Sequence, residues 1–513
     1  MKANVGQSTS VWMTNDLPNR PPLDADTRAD VCVIGAGIAG LSTAYRLAKE
    51  GKSVVVLDAG AVGAGMTART TAHLSNAIDD RYTEIERVHG VGLAKLAAES
   101  HTAAIDAIER VTRDERIDCD FTRLDGYLFV PAGQSPRILD EELAATHRAG
   151  LTQVRKVDRA PIPFDTGPCL VFPRQGQFDP IKYLRGLERA IESAGGRVYG
   201  GTHVKTVEGG PPARVVANSG RAVTADAVVV ATNTPFNDRV VIHTKQAAYI
   251  TYAVALKVPT GSVPTLLLWD TLDPYHYVRL ARGPDASHDL LIVGGEDHKT
   301  GQEDDAQGRY DTLARWSRER FPSAREVAFR WSGQVLETVD GLAFIGKNPL
   351  DSGNVYIATG DSGMGMTHGT IAGLLLTDLI LGRPNPWEAV YEPSRKRAHS
   401  LWEFARENLN VAAQYKDWLT GGDVSTVDQV PTGAGAVVRR GLGKVAIYRD
   451  DAGGLHECSA VCPHLGGIVA WNPGEKTWDC PCHGSRFDAY GHVVQGPAVS
   501  DLTPVQEPVA ARG

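Results

Sequence analysis

Between residues 30 and 57 the alternation of apolar and polar positions changes period twice. Asp30-Val31-Cys32-Val33-Ile34 is β-branched and apolar after its first residue and runs directly into Gly35-Ala36-Gly37-Ile38-Ala39-Gly40. From 41 to 50 the apolar side chains return at helical spacing, Gly51 ends that segment, and 54–57 is again a continuous β-type run. Strand, glycine turn, helix and strand make one βαβ unit. Gly35, Gly37 and Gly40 allow a tight turn and the close approach of a pyrophosphate to the helix N-terminus. Asp58, twenty-three residues past Gly35, stands where an acidic side chain binds a ribose hydroxyl. A bare GxGxxG is weak evidence, but here strand, helix and acidic residue are all in place, so Ile38, Ala39 and Ala59 are expected to touch the same dinucleotide.

The same two periods recur downstream. Residues 178–180 open a helical segment to about 193, the glycines at 195–196 end it, and 197–204 and 225–231 read as strands of the same sheet. A strand at 354–359 leads into a second glycine turn, Gly360-Asp361-Ser362-Gly363-Met364-Gly365, and then a helix through 381. Between these regions lie strand-like runs at 249–256, 266–269, 275–280 and 290–293. Alternation in the third points Tyr275, Tyr277 and Arg279 to one face and His276 to the other. Helical apolar spacing over 395–419 predicts a connecting helix with an aromatic stripe that packs on the preceding domain, and Gly421-Gly422 mark a boundary after it.

A chain of 513 residues exceeds one ordinary core and predicts two or three domains. A net charge of −8 without a basic run gives no footprint for nucleic acid or an anionic membrane. The longest apolar segment, 371–381, is interrupted by Thr377 and Asp378, so no membrane span is expected, and the N-terminal residues lack an apolar signal core. A cytoplasmic protein is the expectation. Seven cysteines, four of them near the C-terminus, do not form a secreted disulfide framework.

Those near the C-terminus have a different meaning. Cys462-Pro463-His464 and Cys480-Pro481-Cys482-His483 are separated by fifteen residues and present one cysteine and one histidine from each of two loops. This resembles the ligand set of a Rieske [2Fe–2S] cluster, in which Cys462 and Cys480 hold one iron and His464 and His483 the other. Gly496-Pro497-Ala498 resembles the proline loop that covers such clusters. A structural zinc is the competing reading, but zinc fingers keep their cysteines together and their histidines together, whereas these motifs mix them.

Residues 28–390 resemble the D-amino-acid oxidase and sarcosine oxidase family of FAD proteins. The matching pieces are the turn at 35–40, Asp58, the loop at 63–71 with Arg69, Thr70 and Thr71, Val204, Ala231-Thr232, and the turn at 360–365. The resemblance implies bound FAD. The early loop would lie along the flavin, Val204 would flank the adenine, and Gly360, Asp361, Gly363, Met364 and Gly365 would face the flavin pyrimidine end. It also implies the layout: an α/β Rossmann-type FAD domain (28–71, 166–238, 331–390), an α+β substrate domain on an antiparallel sheet (72–165, 239–330), a connecting helix (391–423) and a C-terminal all-β Rieske domain (424–513). Tyr249, Tyr252, His276, Tyr277 and Arg279 are the pocket candidates, and no catalytic base is identified.

Four departures from these families qualify the expectation. The lysine that grips a substrate carboxylate in sarcosine oxidase-like members falls on Thr367, which argues against an α-amino acid. No cysteine lies between Cys169 and Cys458, and the histidine attachment position falls on Arg69, with His73 four residues on, so FAD is expected to be non-covalent. Respiratory Rieske proteins join the positions of Cys482 and Gly467 by a disulfide, which is impossible here. They also place a tyrosine two residues after a serine, where this chain has Ser485 and Phe487. Fewer donors to the cluster predict a potential below the upper end of the Rieske range of roughly −150 to +300 mV.

The expected function is an FAD-dependent dehydrogenase of a small-molecule substrate, an amine or amino-acid derivative, passing electrons through the cluster to an external carrier such as a ferredoxin or cytochrome. Two alternatives stay open: an oxidase using oxygen with a structural or regulatory cluster, or a redox carrier or sensor reduced by NAD(P)H. A single Rossmann fingerprint weighs against a nicotinamide site.

Overall fold

The computed structural model describes residues 6–14, 17, 19–237, 241–283, 285–396, 401–418 and 420–505, with backbone alone at 401–403. Its first sheet is built around Thr27–Ile34, flanked in parallel by Val54–Leu57 and Arg197–Tyr199 on one side and by Ala222–Val230 and Val355–Thr359 on the other. These strands are continuous in Val, Ile and Leu because both faces are covered, as parallel sheets require. Helices Ile38–Lys49, Pro180–Ser193 and Gly365–Ile380 pack beside one another on it. Pro180–Ser193 starts where it does because Asp179 accepts hydrogen bonds from the Ile181 and Lys182 amides and Pro180 needs no partner at the first helical position.

Among the described residues the second sheet has nine strands, one of which, Arg155–Val157, pairs with Cys169–Gln177 off the main path. In spatial order Val327–Thr338, Gln246–Pro259, His288–Lys299, Tyr277–Arg282 and Leu267–Asp270 are antiparallel; Leu267–Asp270 then meets Thr122–Phe129 in parallel, followed by Cys169–Gln177 and His73–Leu74. Helices Arg81–His89, Val91–Asp114 and Arg137–Arg148 complete the α+β part. Two strands fall across the expected divisions. Cys169–Gln177 and Val327–Thr338 pair throughout with second-sheet strands, although 166–238 and 331–390 were assigned to the first domain. Their apolar content suits either sheet, and only long-range pairing decides between them.

The C-terminal unit is all β: a three-stranded antiparallel sheet (Gly435–Arg440, Gly443–Arg449, Leu455–Ser459) and a four-stranded one (Ala470–Asn472, Thr477–Asp479, Arg486–Asp488, Val493–Gln495). Trp478 and Phe487 fill its core. The predicted connecting helix is Leu401–Gln414, followed by a 3-10 turn, Tyr415–Trp418. Among the described residues its contacts to the preceding half include polar ones: Lys299 Nζ to Glu407 at 2.6 Å, Gln302 to Asn410 at 2.8 Å, and Asn408 to the Thr244 carbonyl at 2.9 Å. The aromatic end serves the C-terminal unit instead. Tyr415 and Trp418 donate to the Leu465 and Gly466 carbonyls at 2.8 and 2.9 Å. The side chains of Trp402 and Leu419, part of the expected stripe, lie outside the described residues. Among the described residues no helix is long and apolar enough to cross a membrane.

Candidate functional site

A cavity of about 1920 Å³ lies between the two sheets. Gly35, Gly37, Ile38, Ala39, Asp58, Ala59, Arg69, Thr70, Thr71, Val204, Ala231, Thr232, Gly360, Asp361, Gly363, Met364 and Gly365 all line it. Gly35 has φ +105°, and a Cβ there would stand 2.3 Å from the Ala231 carbonyl oxygen, so only glycine fits. Gly40 does not line the cavity. A Cβ on it would lie 1.8 Å from the Gly35 carbonyl oxygen, so its work is to let the helix approach the strand. Helix Ile38–Lys49 has no side-chain cap at Gly37, and Gly365–Ile380 has none at Met364, so two helix N-termini meet the cavity without a capping side chain. Such ends suit a pyrophosphate and an electron-rich ring edge.

Asp58 has a structural task within the turn. Its two oxygens accept from the Ala36 amide at 2.6 Å and the Gly60 amide at 2.8 Å, bracing the glycine turn and the following loop. Burial raises its carboxyl despite those bonds. Each oxygen keeps a second lone pair for a ribose hydroxyl. Arg69 departs from expectation: its guanidinium turns away toward the Ser332 carbonyl and the Ser8 hydroxyl, both at 2.8 Å, and Glu475 of the C-terminal unit at 3.2 Å.

Of the pocket candidates, Tyr249, Tyr252 and Tyr277 line the cavity and two do not. His276 lies behind the wall, its Nδ1 2.8 Å from Asp270 Oδ2 and its ring stacked on Trp316 at 4.5 Å. Alternation put it on the face opposite Tyr277, which is the outer, helix-covered face. Arg279 shares the inner side but spends its guanidinium on the carbonyls of Thr71, Ala72 and Phe178 at 2.7–3.1 Å, holding the loop in place. Thr367 bonds His101 Nδ1 at 2.9 Å and faces away from the cavity.

The sequence reading finds Asp361 but misses the acids that gather around it. Asp79, Asp80, Asp297, Glu337 and Asp361 line the same cavity beside Trp269, Tyr275 and Tyr277. Burial, then repulsion from neighbouring acids, raises Asp79 and Glu337 well above the usual carboxylate range. Asp80 and Asp297 are pushed up to about 6, burial again the largest cause. Asp80 Oδ2 and Asp297 Oδ1 are buried atoms without a hydrogen-bond partner. The adjacent pair Asp79-Asp80 was the available sequence signal.

The four C-terminal motif residues converge from two loops. The first loop closes through the Gly466 amide on the Cys462 carbonyl at 3.0 Å and the Cys462 amide on the Gly467 carbonyl at 2.8 Å. The second closes through the Cys480 amide on the Ser485 carbonyl at 2.8 Å and the Gly484 amide on the Cys480 carbonyl at 3.0 Å. The His464 and His483 rings stand 5.1 Å apart. His483 Nδ1 is buried without a hydrogen-bond partner, so its lone pair is open to a metal. Among the described residues no three His, Cys, Asp or Glu side chains surround a single ion; a binuclear cluster needs only two protein ligands per iron. The residues present therefore fit a Rieske cluster.

The two sites are close neighbours. Gln334 lines the cavity, and its Nε2 donates to the Gly484 carbonyl, next to His483, at 2.9 Å. Ala248 backs the same loop so tightly that a Cβ on Gly484 would stand 2.4 Å from it.

Comparison with known proteins agrees with this geometry. Residues 30–379 match the model of the FAD dependent oxidoreductase family and residues 422–506 that of the Rieske [2Fe-2S] domain. The Rieske 2Fe-2S iron-sulfur protein YhfW of Bacillus subtilis is 34% identical over 495 residues, 96% of each chain. Gamma-glutamylputrescine oxidoreductase of Escherichia coli is 29% identical over 387 residues, 72% of this chain and 87% of that one. Glycine oxidase from Geobacillus kaustophilus superposes with a TM-score of 0.59 at 20% identity, over 72% of this chain and 99% of its own. With the glycine cradle and the two-loop ligand set matched in their full contexts, the chain belongs to the FAD-dependent oxidoreductase family and carries a C-terminal Rieske [2Fe-2S] domain.

Proposed function

We propose that this oxidoreductase is a dehydrogenase of a small cationic amine, whose electrons leave singly through the chain's own Rieske cluster to an external one-electron carrier such as a ferredoxin or cytochrome. One observation carries the reading: the two sites adjoin, with Gln495, Gly496 and Ala498 of the C-terminal unit among the residues that line the cavity. Along Gln246–Pro259, Ala247, Tyr249 and Thr251 line the cavity while Ala248 backs the cluster loop. On this reading Gly35, Gly37, Ile38, Ala39, Asp58, Ala59, Val204 and the turn at 360–365 hold FAD, and Cys462, His464, Cys480 and His483 hold the cluster. When bound, FAD supplies a two-electron acceptor for a C–N bond and the cluster a one-electron carrier.

The substrate class is inferred from the acids. Several buried carboxylates in one cavity repel one another, and a bound cation relieves that repulsion. Trp269, Tyr275 and Tyr277 add aromatic surface of the kind that attracts ammonium groups. The relative named for gamma-glutamylputrescine supports an amine. The chain's own contribution is to orient the amine carbon and exclude water. Oxidation of an amine to an imine removes two electrons and two protons, which requires two deliveries to a one-electron carrier. For the domains we propose the layout given above with 169–177 and 331–338 moved to the substrate part.

The test is anaerobic bleaching of the flavin by a panel of amines, amino acids and hydroxy acids, followed by His483→Ala. Loss of the cluster should leave single-turnover bleaching intact and stop steady-state transfer to a one-electron acceptor. Full turnover of the variant with oxygen would instead identify an oxidase, and bleaching by NADH alone a carrier.

A further inference from the structure

A buried histidine that is not one of the four ligands packs against both ligand rings. The His243 ring lies 4.9 Å from that of His464 at 74° and 5.6 Å from that of His483 at 58°. It is 3% exposed. With the ligand rings 5.1 Å apart at 86°, the three imidazoles form a closed, edge-on triangle.

His243 belongs to the other half of the chain. It opens the turn His243–Lys245, which is clamped on several sides. Lys245 Nζ donates to the Pro393 and Arg395 carbonyls at 2.8 and 3.1 Å, the Lys245 carbonyl accepts from the Val339 amide at 3.0 Å, and the Thr244 carbonyl accepts from Asn408. The turn continues without a break into the strand wall of the cavity. A rigid element that lines the flavin cavity thus begins with a ring seated on both iron-ligating imidazoles.

An imidazole ligand is fixed by its iron bond at one nitrogen and by packing elsewhere, and such outer contacts set ring orientation and metal properties. We propose that His243 is a positioning residue for the Rieske centre, holding both ligand rings against the flavin half so that electrons cross within one chain. The crossing rests on the relay proposed above, whereas the positioning of the rings does not.

The test compares His243→Leu, which removes the ring, with His243→Phe, which keeps one. Iron and sulfide content establish loading. The dithionite-reduced cluster gives its EPR g-values and reduction potential, and flash photoreduction with deazariboflavin and EDTA gives the flavin-to-cluster rate. In His243→Leu the g-values and potential should shift and the rate should fall at least tenfold. His243→Phe should keep wild-type g-values and a rate within threefold. If His243→Leu fails to load while His243→Phe loads, ring packing governs assembly and the proposal holds. Wild-type g-values, potential and rate in loaded His243→Leu would overturn it, as would equal failure of both variants to load. A wild-type flavin that never reduces its cluster would defeat the relay, and the g-values and potential would then decide His243 alone.

Discussion

The Arg69 guanidinium stands 3.2 Å from Glu475 Oε1, and both side chains are 1% exposed. One lies on the loop along the flavin cavity and the other in the C-terminal β unit, so this ion pair joins the two cofactor halves. Burial alone would raise the Glu475 carboxyl, but Arg69, Arg486 and the Ser332 and Ser8 hydroxyls outweigh it and hold the group below the usual glutamate range. Ser332 Oγ donates to Glu475 at 2.6 Å. Arg69→Met leaves a buried carboxylate without its partner, a loss of about 3–5 kcal/mol. A depressed carboxyl contributes stability above its unfolded value of about 4.3, and that contribution is lost as pH falls through the folded value. Thermal unfolding should show Arg69→Met well below wild type at pH 7 and the gap closing below about pH 4. A constant gap would show that packing rather than charge is at stake.

Asp58→Ala should weaken FAD retention by about 1.5–3 kcal/mol, roughly tenfold or more, through loss of charge-assisted hydrogen bonds. Asp58→Asn keeps one acceptor and should lie between. Flavin occupancy after dilution and gel filtration reads the effect, and unchanged occupancy in Asp58→Ala would remove Asp58 from the site.

His73 lines the cavity four residues beyond Arg69, near the position where related enzymes attach flavin. Its Nδ1 is 3.1 Å from the Thr71 hydroxyl and its Nε2 3.2 Å from the Val278 carbonyl, so the carbonyl fixes the hydrogen on Nε2 and both nitrogens are engaged. Burial, then the charge of Arg279, lowers it to about 3. Acid precipitation should therefore release all the FAD into the supernatant. Yellow colour in the pellet, mapped to a His73 peptide, would reverse the assignment.

Asp80, pushed up to about 6 by burial and then by Glu84 and Asp340, makes a two-sided prediction. An acid raised above its unfolded value of about 3.9 loses folded-state stability as pH rises from there to about 6, and the penalty persists above. Asp80→Asn without substrate should melt above wild type at pH 7 and equal to it below about pH 4. The same charge attracts the cation, so wild-type kcat/KM for an amine should fall as pH drops below about 6. Asp80→Asn should lower it roughly tenfold at pH 7, the scale of one charge-assisted contact. A variant both more stable and fully active would detach the acids from substrate binding.

Much of this architecture was legible because its signals are local. Gly35 must be glycine for its own φ and its distance to Ala231, and a Cys-x-His with a Cys-x-x-His carries its ligands within a few residues. The remainder depends on contacts between distant segments. Cys169–Gln177 has the apolar content of either sheet until its pairing with Thr122–Phe129 is known. Arg279 reads as a pocket residue until the carbonyls of Thr71, Ala72 and Phe178 close around it. The acid group draws on residues near 80, 297, 337 and 361, so no window of sequence contains it. His243 has no motif of its own.

The cluster's potential follows from two side chains that are missing beside it. A Cβ on Gly467 would stand 2.6 Å from Cys482 Sγ, so the site has the closeness of a disulfide without the second sulfur, and Cys482 is a free thiol. Phe487, fully buried against Trp478 just past the second ligand loop, has no hydroxyl to offer. Ser485 remains: its oxygen accepts from the Ala498 amide at 3.1 Å, and its hydroxyl reaches Cys462. A donor to a cluster sulfur favours the reduced, more negative state, and about 1 kcal/mol of such preference corresponds to about 40 mV for one electron. Phe487→Tyr should raise the potential by about that amount and Ser485→Ala should lower it comparably, with wild type below the top of the range of roughly −150 to +300 mV. Protein-film voltammetry measures all three. A wild-type value at the top of that range, or a fall in Phe487→Tyr, would mean that burial and charge set the potential rather than hydrogen bonds to sulfur.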